Sequence, residues 1–255
     1  MPGPTPIVVA HRGAWGEHPQ NSLAALEHAI SLGCEMVEFD VRRTRDGLLV
    51  LVHDERIRGV RVGQLDYAEL SMRLSSPEPP RLEAALEVIA GRIDADVELK
   101  EDGYVDAVVA ALRRRLEPAR FRVTSFLDPV LLGARRAGPE LSTGLLLGPP
   151  GPVELARQRI GPQASLALGP SRWSGGLERR VREAGVDFIA PHTSLARAGI
   201  LGWAAERGLP SFVWTVNDSR SLRAMLADDR VAAVITDRPA QAIALRDRPA
   251  DGRAT

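Results

Sequence analysis

Short apolar runs alternate with amphipathic segments of helical length along most of the chain. The eight apolar runs are rich in Val, Ile, Leu and Phe and cover residues 7–11, 36–40, 95–100, 122–126, 142–148, 186–191, 211–216 and 232–237. Seven segments with apolar residues at helical spacing cover 22–33, 81–92, 105–116, 128–138, 174–185, 194–208 and 221–229. Near-continuous apolar strands that alternate with helices are typical of a parallel sheet covered by helices. Eight such strands predict an α/β fold, a (β/α)8 TIM barrel, rather than a doubly wound sheet.

The spacing of these elements gives no sign of a linker between domains. Residues 1–255 are therefore predicted to form a single barrel domain, with its core at about 6–246. The least regular part is 149–175, which is rich in Gly and Pro and holds a candidate for a spare strand, SLALG at 165–169. Both ends of the sequence are expected to fray.

A hairpin is predicted within the second unit of the barrel. Asp46-Gly47 lies between two runs of strand-forming residues and signals a two-residue turn. A turn centred there sets Asp40 opposite His53, and Glu38 lies on the same strand face as Asp40. We expect this short β-hairpin to rise over the C-terminal rim of the barrel and to gather the three side chains into one cluster.

Composition narrows the class of protein. Thirty-three Lys and Arg residues balance 33 Asp and Glu residues, so no protein-wide field would attract nucleic acid or anionic lipid. No apolar run approaches the roughly 18 residues of a membrane span, and the first residues lack the features of a secretory signal. Cys34 is the single cysteine, which excludes an intrachain disulfide and fits a reducing compartment. We expect a cytoplasmic enzyme, monomeric or homodimeric, without integral membrane association or a nucleic-acid partner.

Three carboxylates sit among apolar neighbours near the ends of the second and third predicted strands: Glu38, Asp40 and Glu98. Catalytic residues of a (β/α)8 barrel collect at the C-terminal ends of its strands. Buried together and unpaired, these carboxylates would be costly and their pKa values would shift. One divalent cation resolves this, because Mg²⁺ and Ca²⁺ prefer carboxylate oxygens whereas zinc prefers nitrogen and sulfur. Salt bridges to nearby arginines are the alternative interpretation.

The same rim is predicted to carry two histidines and two cations. His11 ends the first strand and His53 ends the return strand of the hairpin. Two imidazoles beside a phosphate can divide the proton transfers, one accepting from the nucleophile and the other donating to the leaving oxygen. Arg12 and Lys100, the single lysine of the chain, supply the positive charge that a phosphoryl group needs. Trp214, in the seventh strand, is a candidate for an apolar wall of the pocket.

The motifs of the chain resemble those of the glycerophosphodiester phosphodiesterase family, barrel enzymes related to phosphatidylinositol-specific phospholipase C. The matching motifs appear in family order and are HRG 11–13, EFDV 38–41, TRDG 44–47, HD 53–54, VELK 97–100, TSF 124–126, WTVND 214–218 and ITDRP 235–239. The resemblance implies that the two histidines act as general acid and base. It also implies that the three carboxylates hold Mg²⁺ or Ca²⁺ and that Arg12 and Lys100 contact the phosphate. The substrate would be a small glycerophosphodiester, cleaved to glycerol 3-phosphate and an alcohol.

Two departures from the family pattern leave alternatives open. Gln20, in PQNS, stands where family members usually carry a glutamate, which implies altered metal affinity or pH dependence. The segment between His53 and Glu98 is shorter than the family's usual capping insertion, so a more open mouth would admit lysophospholipids and other bulky diesters. A catalytically silent phosphodiester-binding barrel and a lyase that uses Lys100 as a Schiff base are the remaining alternatives.

Overall fold

The computed structural model describes residues 5–74, 78–148 and 175–247, which contain a closed barrel of eight parallel strands. The barrel strands are β1 Ile7–Ala10, β2 Met36–Arg43, β6 Asp94–Leu99, β7 Phe121–Ser125, β8 Ser142–Leu147, β9 Phe188–Pro191, β10 Ser211–Val213 and β11 Val231–Thr236. Three shorter strands lie outside the barrel: β3 Leu49–Leu51, β4 Arg56–Ile57 and β5 Val60–Arg61. The barrel closes because β1 pairs with both β11 and β2. The (β/α)8 prediction is confirmed, and every predicted apolar run overlaps one barrel strand.

Helices separate consecutive barrel strands and cover the outside of the barrel. Within the described ranges they are α1 Leu23–Ser31, α2 Tyr67–Leu74, α3 Leu82–Ile89, α4 Val105–Arg115, α5 Asp128–Ala137, α6 Gly176–Ala184, α7 Thr193–Leu195, α8 Leu201–Ala205, α9 Ser219–Leu226 and α10 Pro239–Arg246. The predicted helix at 194–208 is interrupted by a π-helical segment, Ala196–Ile200, where Gly199 adopts a φ of 100°. The candidate strand at 165–169 lies outside the described residues. None of the described helices is long and apolar enough to cross a membrane.

The interior of the barrel is mostly apolar below the strand ends. Its lower layer includes Val9, Met36, Phe188 and Phe212, and the two phenylalanine rings lie 4.4 Å apart. Gly144 makes room for this layer, because a Cβ there would come within 2.2 Å of the Phe188 ring. Burial of each large side chain contributes about 1.5–3 kcal/mol. Above this packed floor, a polar site can form at the C-terminal ends of the strands.

The hairpin formed by β2 and β3 differs by one residue from the predicted register. Val41 pairs with Leu51 rather than with Val52, so the predicted pairing of Asp40 with His53 is wrong. β3 ends at Leu51, and beyond it the backbone NH of Val52 donates to the carbonyl of Asp40 at 3.1 Å. His53 therefore follows the strand rather than belonging to it.

The turn chemistry explains this one-residue difference. The Thr44 hydroxyl donates to Asp46 Oδ1 at 2.6 Å and accepts from the backbone NH of Leu48 at 3.0 Å. These bonds close the loop between residues 44 and 48, which leaves three residues in the turn instead of two. Gly47, with a φ of 88°, supplies the left-handed residue that such a turn requires.

A small cap between β3 and α3 covers the hairpin side of the rim. It comprises the β4–β5 ribbon, a 3₁₀ turn at Val62–Gln64 and α2. Its apolar side chains form a separate cluster with the hairpin: Val50, Val52, Ile57, Val62, Leu65 and Leu70. The short segment after His53 therefore packs as a compact cap rather than as an open loop.

Candidate active site

The three predicted carboxylates meet at the top of the barrel interior. Glu38 and Asp40 occupy alternate positions of β2, and Asp40 lies beside Glu98 of β6 in the strand register. One oxygen of each residue lies within 4.8 Å of the others, and all three residues are buried. The strand period of two places Glu38 and Asp40 on the same face, which is why two carboxylates from one strand reach one cluster.

Glu38 carries an oxygen that is available for a ligand. Its Oε2 accepts from the backbone NH of Arg12 at 2.8 Å, whereas its Oε1 is buried without a hydrogen bond to any described residue. Burial, followed by the charges of Asp40 and Glu98, raises the pKa of Glu38 well above its usual value. Burial likewise raises the pKa of Glu98 to about 7. A cation bound by oxygen ligands would relieve both effects, so these residues fit one Mg²⁺ or Ca²⁺ ion.

Asp40 differs from the other two carboxylates because two cationic side chains pair with it. Lys100 Nζ lies 2.9 Å from Asp40 Oδ1 and 2.6 Å from Glu98 Oε1, and Arg12 Nε lies 3.3 Å from Asp40 Oδ2. Burial would raise the pKa of Asp40, but Lys100 and Arg12 overcome it and lower the pKa to about 2. The salt-bridge interpretation is therefore correct for part of the cluster. Two cations still face three carboxylates.

Arg12 reaches the cluster through an unusual backbone turn after β1. Arg12 and Gly13 have φ values of 56° and 81°. A Cβ at position 13 would lie 2.7 Å from the backbone of Ala25 in α1, so only glycine fits there. Arg12 Nη1 donates to Gln20 Oε1 at 2.6 Å. Gln20 thus contacts the cluster through Arg12.

His11 is oriented by a carboxylate from the last strand of the barrel. His11 Nδ1 lies 2.6 Å from Asp237 Oδ1, and His11 Nε2 lies 3.9 Å from Glu38 Oε2. Asp237 also accepts from Trp15 Nε1 at 3.2 Å and from Asn217 Nδ2 at 2.6 Å. Because Asp237 accepts the Nδ1 proton, Nε2 is the nitrogen that faces the carboxylates.

His53 lies across the same cavity and is more exposed than His11. Its Nδ1 lies 2.8 Å from Asp54 Oδ1, and 35% of its side chain is exposed, against 14% for His11. Burial lowers the pKa of His53 more than Asp40 raises it. This favours a neutral imidazole that can accept a proton near neutral pH.

A cavity of about 170 Å³ joins these side chains. Its lining includes seven of the eight predicted site residues: His11, Arg12, Glu38, His53, Glu98, Lys100 and Trp214. The eighth, Asp40, is fully buried and pairs with Arg12 and Lys100, which both line the cavity. Trp214 donates from Nε1 to the carbonyl of Ala190 at 2.6 Å and packs edge-on against Phe126, forming an apolar side of the cavity.

Sequence reasoning underestimated four polar residues of the site. Asn21 donates to Asp40 Oδ2 at 2.7 Å and accepts from the Asp40 backbone, while Asp237 and Asn217 support His11. Asp96, which was not singled out, lies in the interior one layer below Glu98 and accepts from Thr124 Oγ1 at 2.8 Å. Its alternation with Glu98 along β6 is the signal that could have identified it.

Replacing Asp96 with asparagine should stabilise the protein increasingly as the pH rises. Asp96 is almost completely buried, and burial raises its pKa from 3.8 to about 6. The folded state therefore binds this proton more tightly than the unfolded state. That stabilisation is complete below pH 3.8 and is lost as the pH rises through about 6. The variant should be more stable than the wild type by about 1.5 kcal/mol at pH 5 and by about 3 kcal/mol at pH 8. Urea unfolding in EDTA at both pH values measures the gain, and a pH-independent difference would contradict this account.

Comparison with known proteins adds a family and a set of relatives. The model of the glycerophosphoryl diester phosphodiesterase family matches residues 11–241. The Mycobacterium tuberculosis protein named "Probable glycerophosphodiester phosphodiesterase 2" is 29% identical over 245 residues, covering 91% of this chain and 87% of that protein. A glycerophosphodiester phosphodiesterase of Caldanaerobacter subterraneus is 26% identical over 160 residues, covering 55% of this chain and 66% of that protein.

A solved structure shows the same fold. It is an Oleispira antarctica phosphodiesterase in complex with the product sn-glycerol-3-phosphate. Its TM-score is 0.76 at 22% identity, and the match covers 96% of this chain and 98% of that one. The two proteins therefore share one barrel fold over nearly the whole of this chain.

Proposed function

We propose a mechanism and a substrate for this chain, which belongs to the glycerophosphoryl diester phosphodiesterase family and is a phosphodiesterase. It would hydrolyse glycerophosphodiesters to glycerol 3-phosphate and an alcohol, with one bound Mg²⁺ or Ca²⁺ ion. The observation that carries this proposal is the cluster of Glu38, Asp40 and Glu98, which lines or underlies the cavity between two histidines.

The carboxylate cluster would hold the cation and the two basic residues would hold the phosphate. When bound, the cation would polarise the phosphoryl group and lower the pKa of a neighbouring hydroxyl. Asp40 keeps Lys100 and Arg12 in place, because it contacts both side chains. Burial alone would lower the pKa of Lys100, but Glu98 and Asp40 raise it, which keeps the ammonium charged beside the phosphate.

The two histidines would move the protons. One imidazole would accept a proton from the attacking hydroxyl, and the other would donate one to the leaving alcohol oxygen. The attacking hydroxyl is that of water, or the 2-hydroxyl of the glycerol, which would give a cyclic phosphate that water then opens. Asp237 and Asp54 hold His11 and His53 through their Nδ1 atoms, which leaves both Nε2 atoms for the substrate.

The reaction is tested by measuring glycerol 3-phosphate released from glycerophosphocholine and glycerophosphoethanolamine. We expect release with Mg²⁺ or Ca²⁺ and none in EDTA, because the carboxylates would then lack the cation that pairs with the phosphate. Restoration by added metal is the control for damage by EDTA. Equal release in EDTA would contradict the metal-dependent mechanism, and no release of glycerol 3-phosphate under any condition would contradict the substrate.

Bulkier diesters are the second candidate substrates. A cavity of about 300 Å³ opens beside His53 and Lys100, and Phe126 and Leu127 line it with side chains that are 40% and 39% exposed. Exposed apolar side chains at the mouth of a polar pocket favour a substrate with an apolar part. Lysophospholipids assayed in parallel would distinguish this substrate class from the small head-group diesters.

A further inference from the structure

Arg42 continues the series of side chains that β2 turns towards the site. It lies two residues after Asp40 and four after Glu38, so all three point to the same strand face. Its side chain is only 8% exposed, although it lies close to the rim. A buried guanidinium requires specific partners, because an unpaired buried charge is costly.

The partners of Arg42 connect two segments of the site. Its Nε and Nη2 both donate to the backbone carbonyl of His53, at 3.1 Å and 2.9 Å. Its Nη1 donates to Glu101 Oε1, on the loop that follows Lys100. The planar guanidinium of Arg42 thus holds His53 and Glu101, the residue after Lys100, at the same time.

The loop on the far side of this fork is itself fixed. The backbone NH of Glu101 donates to the Tyr104 hydroxyl at 3.2 Å, and this hydroxyl donates to the carbonyl of Val41 at 2.8 Å. Lys100 also donates from its backbone NH to Val41 at 3.3 Å. Arg42 therefore spans from an anchored loop to His53, which lies beyond the end of β3 and outside its ladder.

We propose that Arg42, supported by Glu101, is a positioning residue that fixes the backbone of His53 so that its imidazole faces the phosphate. This inference rests on the catalytic role of His53 proposed above. A lysine could not replace Arg42, because an ammonium is a point charge and cannot give two parallel bonds to one carbonyl while a third bond reaches Glu101. The alignment of His53 would then depend on this guanidinium as well as on the hairpin.

The test is the Arg42→Lys variant assayed with glycerophosphocholine and Mg²⁺. We expect kcat to fall by about 10- to 100-fold, because a displacement of about 1 Å in a catalytic group costs roughly that much. KM and the Mg²⁺ affinity of the free protein, measured by calorimetry, should change little, because Arg42 bonds to His53 and Glu101 rather than to the three carboxylates. Arg43→Lys is the matched control: Arg43 lies on the opposite strand face, donates to the carbonyl of Gly103 and contacts the Tyr104 ring.

A double-mutant cycle with His53→Ala separates positioning from a general structural role. If Arg42 acts through His53, Arg42→Lys should have no further effect on the residual kcat of His53→Ala. An undiminished effect in that background, or a parallel loss of Mg²⁺ affinity, would overturn the proposal. So would a wild-type kcat in folded Arg42→Lys. A loss of activity in Arg42→Lys, with an active wild-type enzyme, would support the inference. An inactive wild-type enzyme would instead overturn the proposed function.

Glu101→Gln provides a second variant in case Arg42→Lys does not fold. Glu101 is 37% exposed, so the substitution spares the core and keeps an oxygen that can accept from Arg42. We expect a smaller decrease in kcat in the same direction, again absent in the His53→Ala background. A wild-type kcat in Glu101→Gln would mean that Glu101 does not support Arg42. If Arg42→Lys is also unfolded, that result would overturn the proposal.

Discussion

His11→Ala should lower kcat for glycerophosphocholine by about 10²- to 10⁴-fold, the range expected for loss of a general acid or base. His11 has the geometry for this role, because Asp237 fixes its Nδ1 and its Nε2 faces Glu38 at 3.9 Å. His53→Ala should cause a decrease in the same range. Steady-state kinetics with saturating Mg²⁺ would measure both effects.

The control for this result is His18→Ala. His18 is another histidine of the β1–α1 loop, and its ring packs edge-on against His28 instead of facing the carboxylates. Its replacement should leave kcat within about twofold, since substitutions away from the reacting groups rarely affect transition-state contacts. Near-normal activity in His11→Ala or His53→Ala would remove that histidine from the mechanism.

Glu38→Gln should separate metal binding from stability. The substitution removes the ligand with the unpartnered oxygen, and Mg²⁺ affinity should fall by at least about 100-fold, since even outer-sphere changes cost 10- to 100-fold. The metal-free protein should become more stable at pH 8, because burial and two neighbouring carboxylates raise the Glu38 pKa and the amide carries no charge to bury. Calorimetry with Mg²⁺ and thermal unfolding in EDTA at pH 8 would measure the two effects.

Glu27→Gln is the matched control for the stability effect. Glu27 is an exposed helical glutamate that pairs with Arg92 at 2.8 Å, and this hydrogen bond lowers its pKa. Its amide variant should be no more stable than the wild type and should keep full Mg²⁺ affinity. A destabilised Glu38→Gln protein with unchanged metal affinity would mean that Glu38 is a structural residue.

Most of the barrel could be predicted because buried parallel strands leave a strong pattern of apolar runs. Helix α2 escaped prediction because it buries Leu70 alone among its residues. The helix at 194–208 appeared continuous because periodicity cannot show that Gly199 adopts a φ of 100°. The hairpin register depends on the Thr44 hydroxyl, which accepts from the backbone NH of Leu48 and so adds Arg45 to the turn.

The residues of the candidate site likewise divide into those that the sequence predicts and those that it does not. The carboxylates and histidines could be predicted because strand ends of a barrel share one rim. The partners that orient them could not, because those contacts join distant parts of the chain. Asp237 is 226 residues from His11, and Asn21 is 19 residues from Asp40. Arg42 lies between the EFDV and TRDG motifs, and its carbonyl partner is a backbone group that no side-chain pattern records.

Closure of the barrel between β1 and β11 has a consequence for synthesis on the ribosome. His11 follows the first strand and Asp237 follows the last, and the two meet only because these strands pair. A nascent chain that has folded its first seven strands already contains the three carboxylates and both histidines, yet His11 has no carboxylate to orient it. Catalytic competence would therefore arrive with the final strand, because a chain released before residue 237 would lack the carboxylate that orients His11.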